Sequence, residues 1–376
     1  MKSLLFVTLL LTIFACTPKK GKEAPDHPLT IALEDTISFR PPKNIILMIG
    51  DGMGLTQITA AMYSNGNKLN LEEFKYVGLI KCYSSNDLIT DSAAGATAFA
   101  SGVKTYNGAI GVDTEAKPVR TILEEAKDAG LSAGLVVTSS ITHATPACFY
   151  AHQKDRGMME EIAADLVRSD VDFFVGGGLK YFIRRADERN LLSEMANKGF
   201  VIANFIDQEF DNIAIDFSKK FGYFTANGEP LPRSQGRDYF VQACQSAVTY
   251  LSSRQGKGFF LMIESSQIDW GGHANDSNYI ISEMIEFDEA IGKMLEFAKE
   301  DGETLIIVTA DHETGGYAIN PGSTIDSIIP AFTTDQHTGT LVPVFAFGPG
   351  AELFGGIYEN TSIHRKMKRA FGFLKI

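Results

Sequence analysis

Short apolar runs alternate with amphipathic stretches along the chain from Lys43 onward. Each apolar run has the length of a buried strand, and each amphipathic stretch repeats its apolar positions with a helical period. Continuous apolar strands separated by helices are typical of a parallel sheet that is covered on both faces. The pattern therefore predicts an α/β fold with a mostly parallel central sheet and helices on both faces. The predicted strands are Asn44–Ile49, Ala133–Val137, Phe173–Val175, Phe259–Ile263, Leu305–Val308 and Val342–Phe347, and the predicted helices cover residues 118–129, 156–168, 236–253 and 279–299.

Two stretches between these elements break the alternation. Residues 205–235 and 313–336 are rich in glycine, proline and polar residues. We interpret both as excursions from the sheet, so residues 43–376 are predicted to form one domain.

The N-terminus has a different pattern. Lys2 precedes the apolar segment Leu4–Phe14, which is too short to cross a bilayer as a helix and is typical of a signal peptide. The segment is followed by a small residue and Cys16, which resembles a bacterial lipobox. We predict a signal peptide over residues 1–15, a lipid on Cys16, and a tether rich in proline and lysine over residues 16–42. The protein would then be exported and periplasmic, anchored to the membrane as a lipoprotein, although a chance cysteine after an ordinary signal remains the alternative.

The composition argues against one class of partner and against disulfide bonds as the main stabilisation of the fold. With 34 basic and 46 acidic residues, the net charge is −12, which argues against a nucleic-acid partner because such proteins cluster lysine and arginine. A site that binds phosphate must therefore supply its own positive charge. Beyond Cys16, the chain has Cys82, Cys148 and Cys244, which permit at most one internal disulfide, so disulfides are not the main support of the fold.

Acidic residues stand at the ends of three predicted strands. Asp51 follows the first strand, Glu264 ends the strand Phe259–Ile263, and Asp311 follows the strand Leu305–Val308. Because the carboxyl ends of parallel strands line the ligand crevice, we expect the three carboxylates to meet in one pocket.

Metal binding is the physical reason to gather these acids. Asp269 and His273 have an i, i+4 spacing that one helical turn brings together, and His312 stands next to Asp311. Mixed nitrogen and oxygen ligands suit Zn²⁺, whereas sets of oxygen atoms alone suit Mg²⁺. Any one of these residues is ordinary by itself, since aspartate often caps helices, but the clustering at strand ends favours a metal site.

Ser92 is the candidate nucleophile. It follows Asp91 and precedes a run of small residues that predicts a helix, so its hydroxyl and the first free N–H groups would face an anion. The pair Asp91-Ser92 is also a good helix cap with no catalytic role. A neighbouring Zn²⁺ would supply the activation that a free serine lacks.

Six blocks of sequence, in a fixed order over about residues 43–360, resemble the alkaline phosphatases. The likeness is greatest to the compact alkaline phosphatases of marine and cold-living bacteria. The blocks are Asp51–Gly54, Asp91–Ala93, Thr142–Ala147, Asp269–His273, Thr309–Glu313, and His337 with Val342–Ala346.

The resemblance implies that residues 43–376 are a catalytic domain that hydrolyses small phosphate monoesters, with two Zn²⁺ and one Mg²⁺ per chain. Ser92 would be the nucleophile that forms a phosphoserine, and Arg156 would bind the phosphate. His143 and Trp270 occupy outer positions that vary in the family and influence the third metal. The family is usually homodimeric, which implies a homodimer. The implied metal ligands are Asp269, His273 and His337 at the first zinc, Asp51, Asp311 and His312 with Ser92 at the second zinc, and Asp51, Thr145 and Glu264 at the magnesium.

Two other functions stay open at this point. A phosphodiesterase or nucleotide pyrophosphatase of the same superfamily would use similar metals. An exported lipoprotein could also be a solute-binding protein that captures phosphate without cleaving it.

Overall fold

The computed structural model describes residues 38–374, apart from residues 255 and 326. The predicted signal peptide and residues 16–37 of the predicted tether lie outside the described residues. Within the described part of the chain, no helix combines the length and the apolar character needed to span a membrane.

A ten-stranded sheet forms the centre of the fold, with the strand order β14-β2-β13-β8-β1-β7-β3-β4-β6-β5. Two small two-stranded sheets, β9 with β12 and β10 with β11, stand apart from it. The strands are β1 (Asn44–Gly50), β2 (Tyr76–Lys81), β3 (Ser132–Ser140), β4 (Phe173–Gly177), β5 (Phe200–Asn204), β6 (Lys220–Phe224), β7 (Phe259–Ser265), β8 (Thr304–Thr309), β9 (Glu313–Thr314), β10 (Ala318–Ile319), β11 (Pro330–Ala331), β12 (His337–Thr338), β13 (Val342–Phe347) and β14 (Gly356–Glu359).

Helices connect and cover these strands. They are α1 (Leu55–Ser64), α2 (Ser92–Ser101), α3 (Ile122–Asp128), α4 (Ala144–Ala147), α5 (Met159–Arg168), α6 (Lys180–Ile183), α7 (Leu191–Asn197), α8 (Phe240–Ser253), α9 (Gln267–His273), α10 (Ser277–Asp301) and α11 (Ser362–Ala370).

The sheet is mostly parallel, as predicted. β1 pairs in parallel with β7 on one side and with β8 on the other, while β13 is antiparallel to both of its neighbours. Every residue of β1, β3, β7 and β8 is buried, so both faces of the central sheet are covered.

The predicted helices are present, and local capping explains the bounds of two of them. α3 begins later than predicted because Thr121 caps it, with its side chain accepting a hydrogen bond from the N–H of Glu124. α10 extends beyond the predicted range, from the cap Asp276 to Gly302, which ends the helix in a left-handed conformation.

The interpretation of residues 205–235 as an excursion is partly wrong. Lys220–Phe224 in this stretch form β6, which pairs in parallel with β4 and β5. Gly222 weakens the strand pattern, yet the packing requires it, since a Cβ atom there would lie 2.2 Å from the ring of Phe174. Residues 313–336 do leave the main sheet, and they form the two small sheets with the returning His337.

The three described cysteines are buried free thiols. Burial raises the pKa of Cys82 and of Cys148 to about 12. Cys244 is also buried with a raised pKa, so all three behave as small core residues.

Candidate metal centre and nucleophile

Three buried carboxylates meet where neighbouring strands of the sheet end. Asp51 follows β1, Glu264 lies near the end of β7, and Asp311 follows β8. The register pairs Ile49 of β1 with Glu264 on one side and with Thr309 on the other. The predicted convergence of the three acids is confirmed.

Side chains able to bind metal form three groups among the described residues, and within each group the ligand atoms lie within 4.8 Å of one another. The first group is Asp269, His273 and His337, the second group is Asp51, Asp311 and His312, and the third group is Asp51, His143 and Glu264.

The first group is the most accessible of the three. Asp269 and His273 lie one turn apart on α9, with 3.4 Å between the Asp269 Oδ2 and His273 Nε2 atoms. The Nε2 atoms of His273 and His337 are 3.1 Å apart. Each Nδ1 atom donates to a backbone carbonyl, that of Asp335 at 2.6 Å for His273 and that of Thr90 at 2.8 Å for His337. Because Nδ1 donates to a carbonyl oxygen in both rings, Nε2 is the nitrogen that faces the group and would bind a cation after losing its proton.

The second group is buried and contacts the candidate nucleophile. The Nε2 atom of His312 lies 3.5 Å from Asp51 Oδ1 and 3.3 Å from Asp311 Oδ2. The hydroxyl oxygen of Ser92 lies 3.3 Å from the same Nε2 atom and 3.5 Å from Asp51 Oδ1. Ser92 therefore borders the second group, where the sequence predicted it.

The third group shares Asp51 with the second. Four atoms here are buried without a hydrogen-bond partner in the described chain: Asp51 Oδ2, His143 Nδ1, Thr145 Oγ1 and Glu264 Oε1. The ring centroids of His143 and Trp270 are 6.1 Å apart at an angle of 73°. Of the two predicted outer residues, His143 therefore belongs to this group and Trp270 packs against His143.

The charge of these acids is poorly compensated by protein groups. Burial, followed by repulsion between neighbouring acids, raises the pKa of Asp311 to about 7 and that of Asp51 well above its usual value. Burial likewise raises the pKa of Glu264 to about 8. Buried carboxylates with unpartnered oxygen atoms are the donor set that divalent cations require, so the residues fit the metals that the sequence implied.

Ser92 is the first residue of α2, a helix whose residues are all small or buried. Asp91 caps this helix, and its Oδ1 atom accepts a hydrogen bond of 2.9 Å from the N–H of Ala94. The helix N-terminus carries partial positive charge beside the Ser92 hydroxyl, which favours a bound anion.

Arg156 is held by Asp91, the residue that precedes Ser92. The Nη1 atom of Arg156 donates to Asp91 Oδ2 at 3.1 Å, and the N–H of Gly108 donates to the same oxygen at 2.9 Å. The Nη2 atom of Arg156 lies 3.4 Å from His143 Nε2. The sequence analysis identified Asp91 only as a helix cap. Its contact with Arg156 could not be predicted from the sequence beyond the fact that Asp91 precedes Ser92.

Thr314 is a further residue that the sequence analysis missed. Its hydroxyl donates to Asp269 Oδ1 and lies 3.2 Å from His312 Nδ1. Its only sequence signal is its position two residues after His312.

A second serine, Ser132, can be excluded as the nucleophile of this site by its position in the fold. Gly130–Gly134 match the Gly-x-Ser-x-Gly pattern of serine hydrolases, with Ser132 at its centre. Ser132 begins β3, whereas the metal groups gather at the carboxyl ends of the strands. Of these two serines, Ser92 is the one that contacts the second group.

Comparison with known sequences gives the same family throughout. The family model for alkaline phosphatase matches residues 42–331. Alkaline phosphatase 3 of Bacillus subtilis is 32% identical, and the similarity covers 88% of this chain and 89% of that protein. Alkaline phosphatase of Escherichia coli is also 32% identical, over 91% of this chain and 89% of that protein.

Comparison with solved structures indicates the same family. Alkaline phosphatase from the Antarctic bacterium TAB5 is 46% identical, with a TM-score of 0.83, and covers 90% of this chain and 100% of its own. A variant of that enzyme has been solved with Mg bound in its M3 site. The cold-active alkaline phosphatase of Shewanella sp. is 31% identical, with a TM-score of 0.79, over 87% of this chain and 99% of its own. These matches exclude the solute-binding alternative, because the chain belongs to the alkaline phosphatase family of metal-dependent phosphomonoesterases.

Proposed function

We propose that this chain hydrolyses phosphate monoesters through a phosphoserine formed on Ser92, with two Zn²⁺ and one Mg²⁺ bound. The main support for this proposal is the position of the Ser92 hydroxyl. It lies within 3.5 Å of Asp51 and His312 in the second group, at the N-terminus of α2. A nucleophile, an anion-binding helix end and a cation site thus coincide.

The donor chemistry assigns the metals. The first and second groups contain imidazole nitrogen and are assigned Zn²⁺. The third group is assigned Mg²⁺ because Asp51, Glu264 and Thr145 offer it three hard oxygen donors, with the His143 imidazole as its one nitrogen. When bound, the cations would compensate the buried carboxylates, lower the pKa of a nearby hydroxyl or water, and stabilise charge on the leaving oxygen.

The protein groups then perform two displacements. The Ser92 oxygen attacks phosphorus while the ester P–O bond breaks, and the serine proton ends on the released alcohol. Water then attacks the phosphoserine, which releases inorganic phosphate and restores the hydroxyl. Each in-line displacement inverts phosphorus, so the whole reaction proceeds with retention.

Metal analysis together with substrate choice tests this function. Purified protein should contain two zinc ions and one magnesium ion per chain, and it should release p-nitrophenol from p-nitrophenyl phosphate far faster than from bis(p-nitrophenyl) phosphate. Protein without zinc, or with the opposite substrate preference, would contradict the proposal.

Arg156→Ala should separate monoesters from diesters. The planar guanidinium can grip two free oxygen atoms of a monoester dianion, whereas a diester carries a substituent in place of one of them. We expect kcat/KM for the monoester to fall about 100-fold, since two charge-assisted hydrogen bonds are lost, while diester turnover changes little. Steady-state kinetics on both substrates, with weaker inhibition by phosphate, would check this.

The control for that variant is Arg168→Ala. Arg168 is the last residue of α5 and forms an ion pair with Asp165, outside the site. Arg168→Ala therefore also removes an arginine ion pair, but not one at the site. Equal losses on monoester and diester in Arg156→Ala would show that Arg156 is structural and would reopen the phosphodiesterase alternative.

His143 should determine how the third group responds to zinc. Burial, followed by the charge of Arg156, lowers the pKa of His143 to about 3, so its imidazole is neutral and offers nitrogen beside Asp51 and Glu264. We expect added Mg²⁺ to activate and excess Zn²⁺ to inhibit, with at least several-fold relief of zinc inhibition in His143→Ala. Zinc titrations of both proteins at fixed Mg²⁺ measure this, and identical curves would remove the role of His143.

We also propose that the mature chain is an exported, periplasmic homodimer held to the membrane by lipid on Cys16. Several acyl chains anchor a protein firmly, whereas one chain binds only marginally. Detergent-phase partitioning should therefore recover wild-type protein, and Cys16→Ser should shift it to the aqueous phase or block its maturation. Wild-type protein without lipid mass would contradict the anchor.

A further inference from the structure

Glu313 and Thr314 follow directly after the second-group residues Asp311 and His312, and the proposed function gives them no role. They form β9, which pairs with β12, so that Thr314 lies opposite His337 and Glu313 opposite Thr338. We infer that Glu313 is a positioning residue for the first group, because it fixes the loop over residues 315–338 that brings His337 to the site. The inference rests on the proposed role of His337 as a metal ligand.

The carboxylate of Glu313 joins both ends of that loop. Its Oε1 atom accepts from the N–H of Tyr317 at 3.1 Å, and its Oε2 atom accepts from the N–H of Gly316 at 3.2 Å. Oε2 also accepts from the hydroxyl of Thr338, the residue next to His337. The start and the end of the loop are therefore held by one side chain, which is only 5% exposed.

The same carboxylate fixes the loop to the centre of the fold. The Nε2 atom of Gln57 on α1 donates to Glu313 Oε1 at 2.7 Å and to the carbonyl oxygen of Thr314 at 2.9 Å. Gln57 is fully buried. Its amide links the loop to a helix that starts just after the Asp51 turn.

Two glycines of the Asp51–Gly54 block make room for this arrangement. A Cβ atom on Gly54 would lie 2.4 Å from Glu313 Cγ, and one on Gly52 would lie 2.8 Å from Thr314 Oγ1. Gly52 also has a φ of +71°, which favours glycine. The glycines of this block thus admit the pair Glu313-Thr314 against the turn that carries Asp51.

The two zinc groups differ in how they are held. Asp51, Asp311 and His312 come directly from the ends of central strands, whereas His337 reaches the site only after the loop. Loss of the Glu313–Thr338 link should therefore loosen the first group and leave the second group intact. Direct hydrogen-bond partners of metal ligands typically change metal affinity by 10- to 100-fold. Glu313 acts one residue away from His337, through Thr338, so a change at the lower end of that range, about tenfold, is expected here.

Zinc release tests the link directly. Thr338→Val removes the hydroxyl with little change of shape, Thr338→Ser keeps it, and Glu313→Gln removes the charge. The control is Glu289→Gln, an exposed glutamate on α10. Wild-type protein and the four variants are loaded with zinc, and release to a chromogenic chelator is followed, together with melting temperatures of the metal-free forms.

We expect Thr338→Val and Glu313→Gln to release one of two zinc ions about tenfold faster. Thr338→Ser and Glu289→Gln should behave as wild type, and the metal-free melting temperatures should agree. If Thr338→Val and Glu313→Gln release zinc at the wild-type rate, the inference is overturned while the proposed function stands. Loss of both zinc ions together with a lowered melting temperature of the metal-free form would also overturn only the inference. Wild-type protein that binds no zinc would overturn the proposed function as well.

Discussion

Ser92→Ala is expected to lose at least about a thousandfold in kcat for p-nitrophenyl phosphate, since loss of the attacking residue in nucleophilic catalysis has effects of that order or larger. The fold should persist because the change removes one oxygen atom from a small residue at the start of α2. Initial rates measure the loss, and mass spectrometry of acid-quenched protein should find phosphate on Ser92 only in the wild type.

Ser101→Ala is the matched control. Ser101 ends the same helix, is buried, and has no hydrogen bond to its hydroxyl in the described chain. This variant should keep wild-type kinetics. Near-full activity in Ser92→Ala, or equal losses in both variants, would contradict the assignment of the nucleophile.

Removal of the metals is expected to abolish activity and to make stability fall as the pH rises. In the metal-free fold, the pKa of Glu264 is raised to about 8 and that of Asp311 to about 7. Both values lie above those of the unfolded chain, so between about pH 4 and pH 8 the folded protein binds more protons than the unfolded one. These two groups therefore lower the free energy of unfolding as the pH rises through this window.

His273 changes stability in the same direction. Its hydrogen bond with Asp269 raises its pKa to about 9. This contribution is fully present below the unfolded value of about 6.5 and is lost as the pH rises through about 9. Burial lowers the pKa of His143 to about 3 and that of His312 well below its usual value, so these two groups oppose the trend only below about pH 6.5. Above that pH the effects of Glu264, Asp311 and His273 add, so the metal-free protein should lose stability towards the alkaline end.

Melting temperatures of chelator-treated protein from about pH 6.5 to pH 9 measure this effect, with metal-loaded protein as the control. We expect a fall of several degrees in the metal-free form and a much flatter profile in the loaded form, since the cations compensate the carboxylates. A metal-free protein that becomes more stable towards pH 8 would contradict the account of the buried acids.

The central strands could be predicted because they are buried on both faces. β1, β7 and β8 are continuous apolar runs, and their ends located Asp51, Glu264 and Asp311. β2 escaped prediction because it alternates between exposed and buried positions near the sheet edge, where Tyr76 and Val77 face solvent. Such a strand depends on its neighbours rather than on its own sequence.

The residues of the candidate site also fall into those that local sequence could predict and those that it could not. Asp269 and His273 share one helical turn, so their spacing alone indicated a pair of ligands. Arg156 and His337 were identified only through resemblance to the alkaline phosphatases, since Arg156 lies in a turn and His337 in a two-residue strand, neither of which gives a periodic pattern. The contacts of Asp91 and Thr314 with distant residues could not be read from local pattern, because they arise only when separate loops pack together.

The position of β1 between β7 and β8 sets the order of events during synthesis. β1 is made first, but both of its neighbours begin more than 200 residues later in the chain, at Phe259 and Thr304. The central sheet therefore cannot be completed without β8, and His337 lies later still in the sequence. With the ligands proposed above, fragments truncated before residue 304 should neither fold around β1 nor retain zinc.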